Sequence, residues 1–202
     1  MRIAFALLVG LVATSPALAG DIDPAVSAAF GNWGLPVPGT GGLVFCHGYG
    51  CNFRTQVGFS KADHARFAAL MAPGRASADA ERRAIAQTEA WFEKRVAPEA
   101  GTAHAKARAS GASHVGGDGS QFDCIDTTAN TTSLLVILDR LGLLRHHKVS
   151  TPISRLLTGG GPHFTAVIED KKSGKRWTVD PWTHDNGQLP DVWPVERWSA
   201  GG

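Results

Sequence analysis

Three residues in one chain order carry the chemistry that this sequence offers. Cys124 stands in Phe-Asp-Cys-Ile-Asp at the head of a helical run, His163 opens a His-Phe-Thr-Ala-Val-Ile strand, and Asp180 closes Trp-Thr-Val-Asp before Pro181. A thiol attacks as its thiolate, and the unpaired N–H groups and dipole at a helix N-terminus favour that anion. His163 follows Thr158-Gly159-Gly160-Gly161-Pro162, a flexible lead that lets its imidazole approach the helix end. There it can accept the thiol proton and return it to a leaving group. In a hairpin turning near Ser173-Gly174, facing residues have numbers summing to about 345, which sets His163 nearly opposite Asp180. The carboxylate can then orient the ring and stabilise imidazolium, the third role of a triad.

Each residue has a plainer reading. Free cysteines are commonly buried as small hydrophobes, His163 could merely begin a strand, and Asp180 before Pro181 could open a turn. Taken jointly, the helix-start cysteine and the register-matched histidine and aspartate favour the triad. Acyl chemistry also needs an oxyanion site, for which the Cys124 backbone N–H is one donor and the Gln121 side chain a candidate second. Trp182 can roof the His–Asp pair against water or serve core packing. Asp126, one step inside the helix, is read as structural, since its charge opposes a thiolate unless it points away.

The elements that must position these groups follow from capping and periodicity. A short helix is expected over Pro24–Phe30 in a Pro- and Gly-rich lead-in, then two strands, Leu43–Phe45 and Asn52–Phe59, around a Cys46–Cys51 turn. Ser60 can cap a helix to Met71, ended by Pro73-Gly74, and Ser77 another through Val96. In the latter, Ala84, Ile85, Thr88, Trp91, Phe92 and Val96 recur at helical spacing, which makes Trp91 and Phe92 core anchors. Residues 98–119 turn to Ala, Gly, Ser and His and read as a surface crossing at the cleft mouth, with His104 and His114 solvated. A buried central helix is expected over Ile125–Leu144, with Gly142 near its end. Strands Phe164–Ile168 and Arg176–Val179 follow, joined by a polar turn containing Gly174.

Cys46 and Cys51 bracket His-Gly-Tyr-Gly, a loop able to bring two sulfurs together, so a disulfide is expected, leaving Cys124 as the free thiol. A metal on Cys46, Cys51 and His47 lacks the further ligands zinc needs. Covalent haem wants two residues between its cysteines and a histidine after the second, where this chain has Asn52. His146-His147, with His184 and Asp185, suggests a metal less well than a basic cluster at a helix C-terminus. The reading therefore calls for no metal and no cofactor.

Arg2, an apolar run from Ile3 to Ala13 and the stop Ala17-Leu18-Ala19 read as a signal peptide cleaved after Ala19. The expected product is residues 20–202, periplasmic or secreted. About eleven apolar residues are too few to span a bilayer as a helix, which needs about 20, so no stable membrane insertion is expected. With 43% hydrophobic and 19% charged residues the balance is globular, and a formal charge of +2, falling to about +1 without Arg2, is too small for a phosphate-tracking surface. Nucleic acid is excluded as a partner on that ground.

Asp123-Cys124-Ile125-Asp126 before a long helix, His163-Phe164-Thr165-Ala166-Val167 and Trp177-Thr178-Val179-Asp180-Pro181-Trp182 together resemble the core of the transglutaminase-like superfamily of papain-like cysteine enzymes. The resemblance covers about residues 118–184. It implies an α+β fold in which a Cys-bearing helix packs on a small antiparallel sheet carrying His and Asp. Residues 20–202 would form one domain with a helical and hairpin extension over 20–110. It also implies Cys124 as nucleophile, His163 as base and acid, Asp180 as orienter, and acyl transfer from a peptide or protein substrate to water or an amine. Bacterial examples often have Gly before Asp-Cys, where this chain has Phe122. Two other readings stand beside it: a catalytically inactive module of the same fold for binding or envelope assembly, and a metal-dependent hydrolase using the histidines.

Overall fold

A computed structural model describes residues 22–110, 118–158 and 160–201. The expected signal peptide and His114 lie outside the described residues. The fold is α+β, with five α-helices and two small antiparallel sheets among the described residues. No described helix is long and apolar enough to cross a membrane.

The Asp23 carboxylate caps α1 (Pro24–Asn32) by accepting the Ala25 N–H at 2.8 Å, with Pro24 where no helical N–H is required. Strands β1 (Gly42–His47) and β2 (Phe53–Gly58) pair antiparallel, and Cys46 and Cys51 are disulfide-bonded across their turn. Four consecutive turn residues, Gly48, Tyr49, Gly50 and Cys51, have positive φ. The two glycines adopt it freely, whereas Tyr49 and Cys51 each cost about 1–3 kcal/mol, so the loop must be held from outside.

Ser60 and Asp63 form a reciprocal capping box for α2 (Lys61–Met71). A 3₁₀ turn at Ala72–Ala76 leads to α3 (Ala78–Ala100), whose first turn is capped by Ser77 Oγ on the Ala80 N–H. This helix runs four residues beyond the expected end. Pro98 sits within its last turn, and Gly101 at φ 73° stops it. Phe92 is fully buried and edge-on to Phe45, while Trp91 packs edge-on to Phe67, so both serve the core.

Helix α4 (Cys124–Arg140) is the central element, with residues 126–138 all buried. It packs against β1 on one side and β4 on the other. Asn130 clamps it to the hairpin, accepting the Cys46 N–H and donating to the Cys46 carbonyl, both at 2.7 Å. The helix ends at Arg140 rather than Leu144, because Gly142 at φ 68° breaks it while Leu144 still packs in the core.

The second sheet has the order β3 (His147–Leu156), β4 (Pro162–Asp170), β5 (Arg176–Val179), so β4 is its central strand. Pairs Ala166–Val179 through Glu169–Arg176 all sum to 345, the register expected from the turn. Strand β3 is an addition to the elements expected from sequence, and it overturns the helix-end reading of His146 and His147. The side chain of buried Glu81 accepts the N–H groups of Arg145, His146 and His147 at 2.7–3.1 Å and so fixes the entry to β3. Residues 191–194 return along β5, and α5 (Val195–Ser199) then carries Trp198 beneath the sheet.

Candidate active site

The capping of α4 determines what its first turn offers. The Asp123 carboxylate accepts the N–H groups of Ile125 and Asp126 at 3.0 and 2.9 Å, and Thr127 N–H goes to the Asp123 carbonyl at 3.1 Å. The cap leaves the Cys124 N–H beside its own sulfur, where it favours the thiolate. Asp126 closes the box by accepting the Asp123 N–H at 3.1 Å. Its two oxygens also accept Tyr49 N–H at 2.7 Å and Cys51 N–H at 2.5 Å. The same carboxylate thus holds the left-handed disulfide loop and the start of α4. Burial, then Asp123, pushes its pKa up to about 7, against three N–H donors that favour the anion.

Segment 118–121 is seated on that loop. Gly48 N–H donates to the Gln121 carbonyl at 2.8 Å. His47 Nδ1 lies 2.6 Å from the Gly119 carbonyl, and because a carbonyl only accepts, that nitrogen carries the proton. Its Nε2 lies 3.0 Å from Thr55 Oγ1, and Phe53 stacks on the ring. The Gln121 side-chain oxygen accepts the Lys106 N–H at 2.9 Å, and its amide nitrogen makes a long 3.5 Å contact with Ser120 Oγ. Gln121 therefore ties the approach to Cys124 to the chain at residue 106.

His163 and Asp180 meet as a diagonal pair across β4 and the end of β5, since the register sets Asp180 opposite Thr165. His163 Nε2 lies 2.6 Å from Asp180 Oδ2, with both residues buried. His163 Nδ1 is buried and has no hydrogen-bond partner among the described residues. The Cys124 thiol reaches β4 beside this histidine: its sulfur is 3.8 Å from the Pro162 carbonyl and receives the Phe164 N–H. The sulfur thus touches the backbone on both sides of His163. Burial pushes the Cys124 pKa up to about 11, with smaller upward pushes from Asp123 and Asp180 and opposing help from Phe164 N–H and its own N–H. The helix start alone does not make this thiol a thiolate; desolvation outweighs it.

Trp182 packs against His163 with ring centroids 4.5 Å apart and the rings tilted by 36°, and its Nε1–H donates to the Ala109 carbonyl at 2.8 Å. Residues 105–109 form a strap on this side. Arg108 N–H donates to the Trp182 carbonyl, Ala107 N–H and Lys106 Nζ bond the Asp185 carboxylate, and Asn186 N–H bonds the Ala105 carbonyl. The surface crossing expected from composition is thus anchored beside the His–Asp pair, with Ala105 in the core and His104 exposed.

Sequence reasoning missed Trp198. Its indole Nε1–H donates to Asp180 Oδ2 at 2.8 Å, the same oxygen that His163 meets, and its ring lies 5.3 Å from the His163 ring. A large aromatic in the short run after Pro194 was the available signal. The proposed metal ligands are dispersed: His146 Nε2 meets the Arg75 carbonyl, His147 meets Glu81, His184 lies 3.3 Å from Asp191, and Asp185 holds the strap. Among the described residues, potential ligand atoms gather at Cys46, Cys51 and Asp126, where the two sulfurs are bonded to each other.

Compared with protein-family models, curated proteins and solved structures, the chain matches none. The residues themselves carry the functional argument. A buried His–Asp pair with one bare ring nitrogen, a thiol against the flanking backbone and an aromatic cover can together move a proton from sulfur and exclude water from the exchange.

Proposed function

We propose that this chain is an exported cysteine-dependent acyl-transfer enzyme of transglutaminase-like kind, acting chiefly as a hydrolase of a peptide or amide bond. The supporting observation is the 2.6 Å His163–Asp180 contact with His163 Nδ1 left bare, beside a thiol that touches Pro162 and Phe164. Nδ1 takes the Cys124 proton as sulfur attacks the carbonyl carbon, and the Cys124 N–H faces the developing oxyanion. The imidazolium then protonates the departing amine, leaving a thioester on Cys124. Water attacks that thioester with His163 again as base, releasing the acid and restoring the thiol. Water is the preferred acceptor because it far exceeds any amine in concentration; a primary amine in its place gives transamidation. The Cys46–Cys51 disulfide agrees with an oxidising compartment and hence with export.

The raised Cys124 thiol favours a second reading, a non-catalytic module that uses the same cleft to hold a peptide or glycan. Incubating a diverse peptide mixture with the protein, with and without a primary amine, separates the two by mass spectrometry. The enzyme reading expects cleaved or amine-modified peptides that vanish with Cys124→Ala. Unchanged peptides that are retained equally by wild type and Cys124→Ala support the module.

A further inference from the structure

Trp198 contributes something to the His163–Asp180 pair that packing alone would not require. The indole is a donor only, so the Asp180 Oδ2 that it meets at 2.8 Å must act there as an acceptor. While Asp180 is a carboxylate, which only accepts, His163 Nε2, 2.6 Å from the same oxygen, is the nitrogen that carries hydrogen in the neutral ring, and the indole N–H is a second donor favouring that form. The lone pair falls by elimination on Nδ1, the nitrogen with no partner among the described residues. Losing the indole N–H removes one of the two donors that favour the carboxylate, and a protonated Oδ2 donating to Nε2 would place hydrogen on Nδ1 and abolish the base.

The indole is itself held on several sides. Arg155, which pairs with His163 across β3 and β4, donates from Nη1 to the Trp198 carbonyl at 2.5 Å and lays its guanidinium 4.7 Å from the indole ring. Trp198 is 1% exposed, although α5 is only five residues long. The chain reaches it through the Asp180–Asp191 bridge, whose two backbone hydrogen bonds of 2.9 and 3.1 Å also fix the Asp180 backbone. Asp191 further accepts Thr183 Oγ1 at 2.8 Å, closing the turn after Asp180.

We propose that Trp198 is a positioning residue that locks His163 in its Nε2–H tautomer, so that the C-terminal helix determines whether Cys124 has a base. This rests on the acyl-transfer reading for its consequence, but the tautomer itself does not. Loss of the indole N–H would then weaken the base without touching the nucleophile.

The test is nitrogen NMR of the His163 ring in the full chain, in wild type and Trp198→Phe, paired with iodoacetamide alkylation of Cys124 at pH 7. In wild type, neutral His163 is expected as a single Nε2–H tautomer, and the Trp198 indole proton should exchange slowly with solvent. In Trp198→Phe, which keeps an aromatic ring beneath His163, the tautomers should mix and Cys124 alkylation should slow about fivefold, the worth of one typical hydrogen bond. If the variant does not fold, the wild-type tautomer and indole exchange still decide: an Nδ1–H tautomer, or a rapidly exchanging indole, overturns the proposal. An unchanged tautomer in folded Trp198→Phe overturns it as well. Both NMR readouts are independent of turnover, so inactivity toward peptides would count against the acyl-transfer reading and leave this inference standing.

Discussion

Replacing His163 by Ala tests whether His163 activates the Cys124 thiol, as the proposed mechanism requires. Burial holds the thiol at about 11, four pH units above neutrality. An isolated thiol in that state is ionised only to about one part in 10⁴ at pH 7, since each pKa unit is tenfold. On the proposed mechanism, transfer to the bare Nδ1 would create a thiolate–imidazolium pair whose attraction is strong at low local dielectric. If that pair makes up even about a tenth of the molecules, His163→Ala lowers the Cys124 alkylation rate at pH 7 on the order of 10³-fold. The variant's rate should then climb about tenfold per pH unit through pH 9–10. The assay is iodoacetamide labelling from pH 5 to 10, with the modified residue located by mass spectrometry and folding checked by near-ultraviolet circular dichroism. His163→Gln, which retains more of the ring's volume, guards against a packing artefact. Equal rates for wild type and both variants at pH 7 would refute general-base activation. So would a variant that titrates like an ordinary thiol near 8.5.

Other substitutions test the scaffold. Cys46→Ser with Cys51→Ser should cost about 2 kcal/mol by the loop-entropy estimate for so short a ring, measured by urea unfolding under non-reducing conditions. Asp126→Asn keeps one acceptor oxygen where two are used, and should cost about 1–3 kcal/mol while speeding amide exchange at Tyr49 and Cys51. Glu93, buried on α3 and accepting Gly187 N–H at 2.5 Å, is pushed up to about 7 by burial, with Gly187 N–H and Lys94 opposing. Its folded pKa exceeds its unfolded value, so the stability it contributes is complete below pH ~4.5 and is lost as pH rises through about 7. The loss amounts to about 3 kcal/mol, and Glu93→Gln should reduce the fall of the unfolding free energy across that range by that amount, leaving the part that Asp126 contributes. A variant with the wild-type pH slope would remove Glu93 as the cause.

The sequence pattern disclosed the β4–β5 hairpin well, because Gly174 and the polar turn set a register that the backbone follows. Ser60 and Ser77 cap helices where local chemistry places them, since capping is decided within a few residues. Strand β3 was not legible: Pro152 lies inside it, and the strand tolerates that residue through a register shift between Ser150 and Ile153. Alternation of polar and apolar residues is lost at such a bulge. The end of α4 was misplaced because Leu143 and Leu144 continue an apolar run that periodicity alone cannot divide. Trp198 escaped notice because its role arises from residues 155, 163 and 180, brought together only by the tertiary fold. The same holds for the raised thiol: a helix N-terminus is readable in sequence, but the burial that opposes it is not.

Acylation by an activated ester tests the central assignment most directly. On mixing with p-nitrophenyl acetate, the account predicts a burst of p-nitrophenolate equal to one per chain, one acetyl group on Cys124 by peptide mapping, no burst in Cys124→Ala and a slowed burst in His163→Ala. Absence of a burst from folded wild-type protein, or acetylation at another residue with Cys124 untouched, would contradict it.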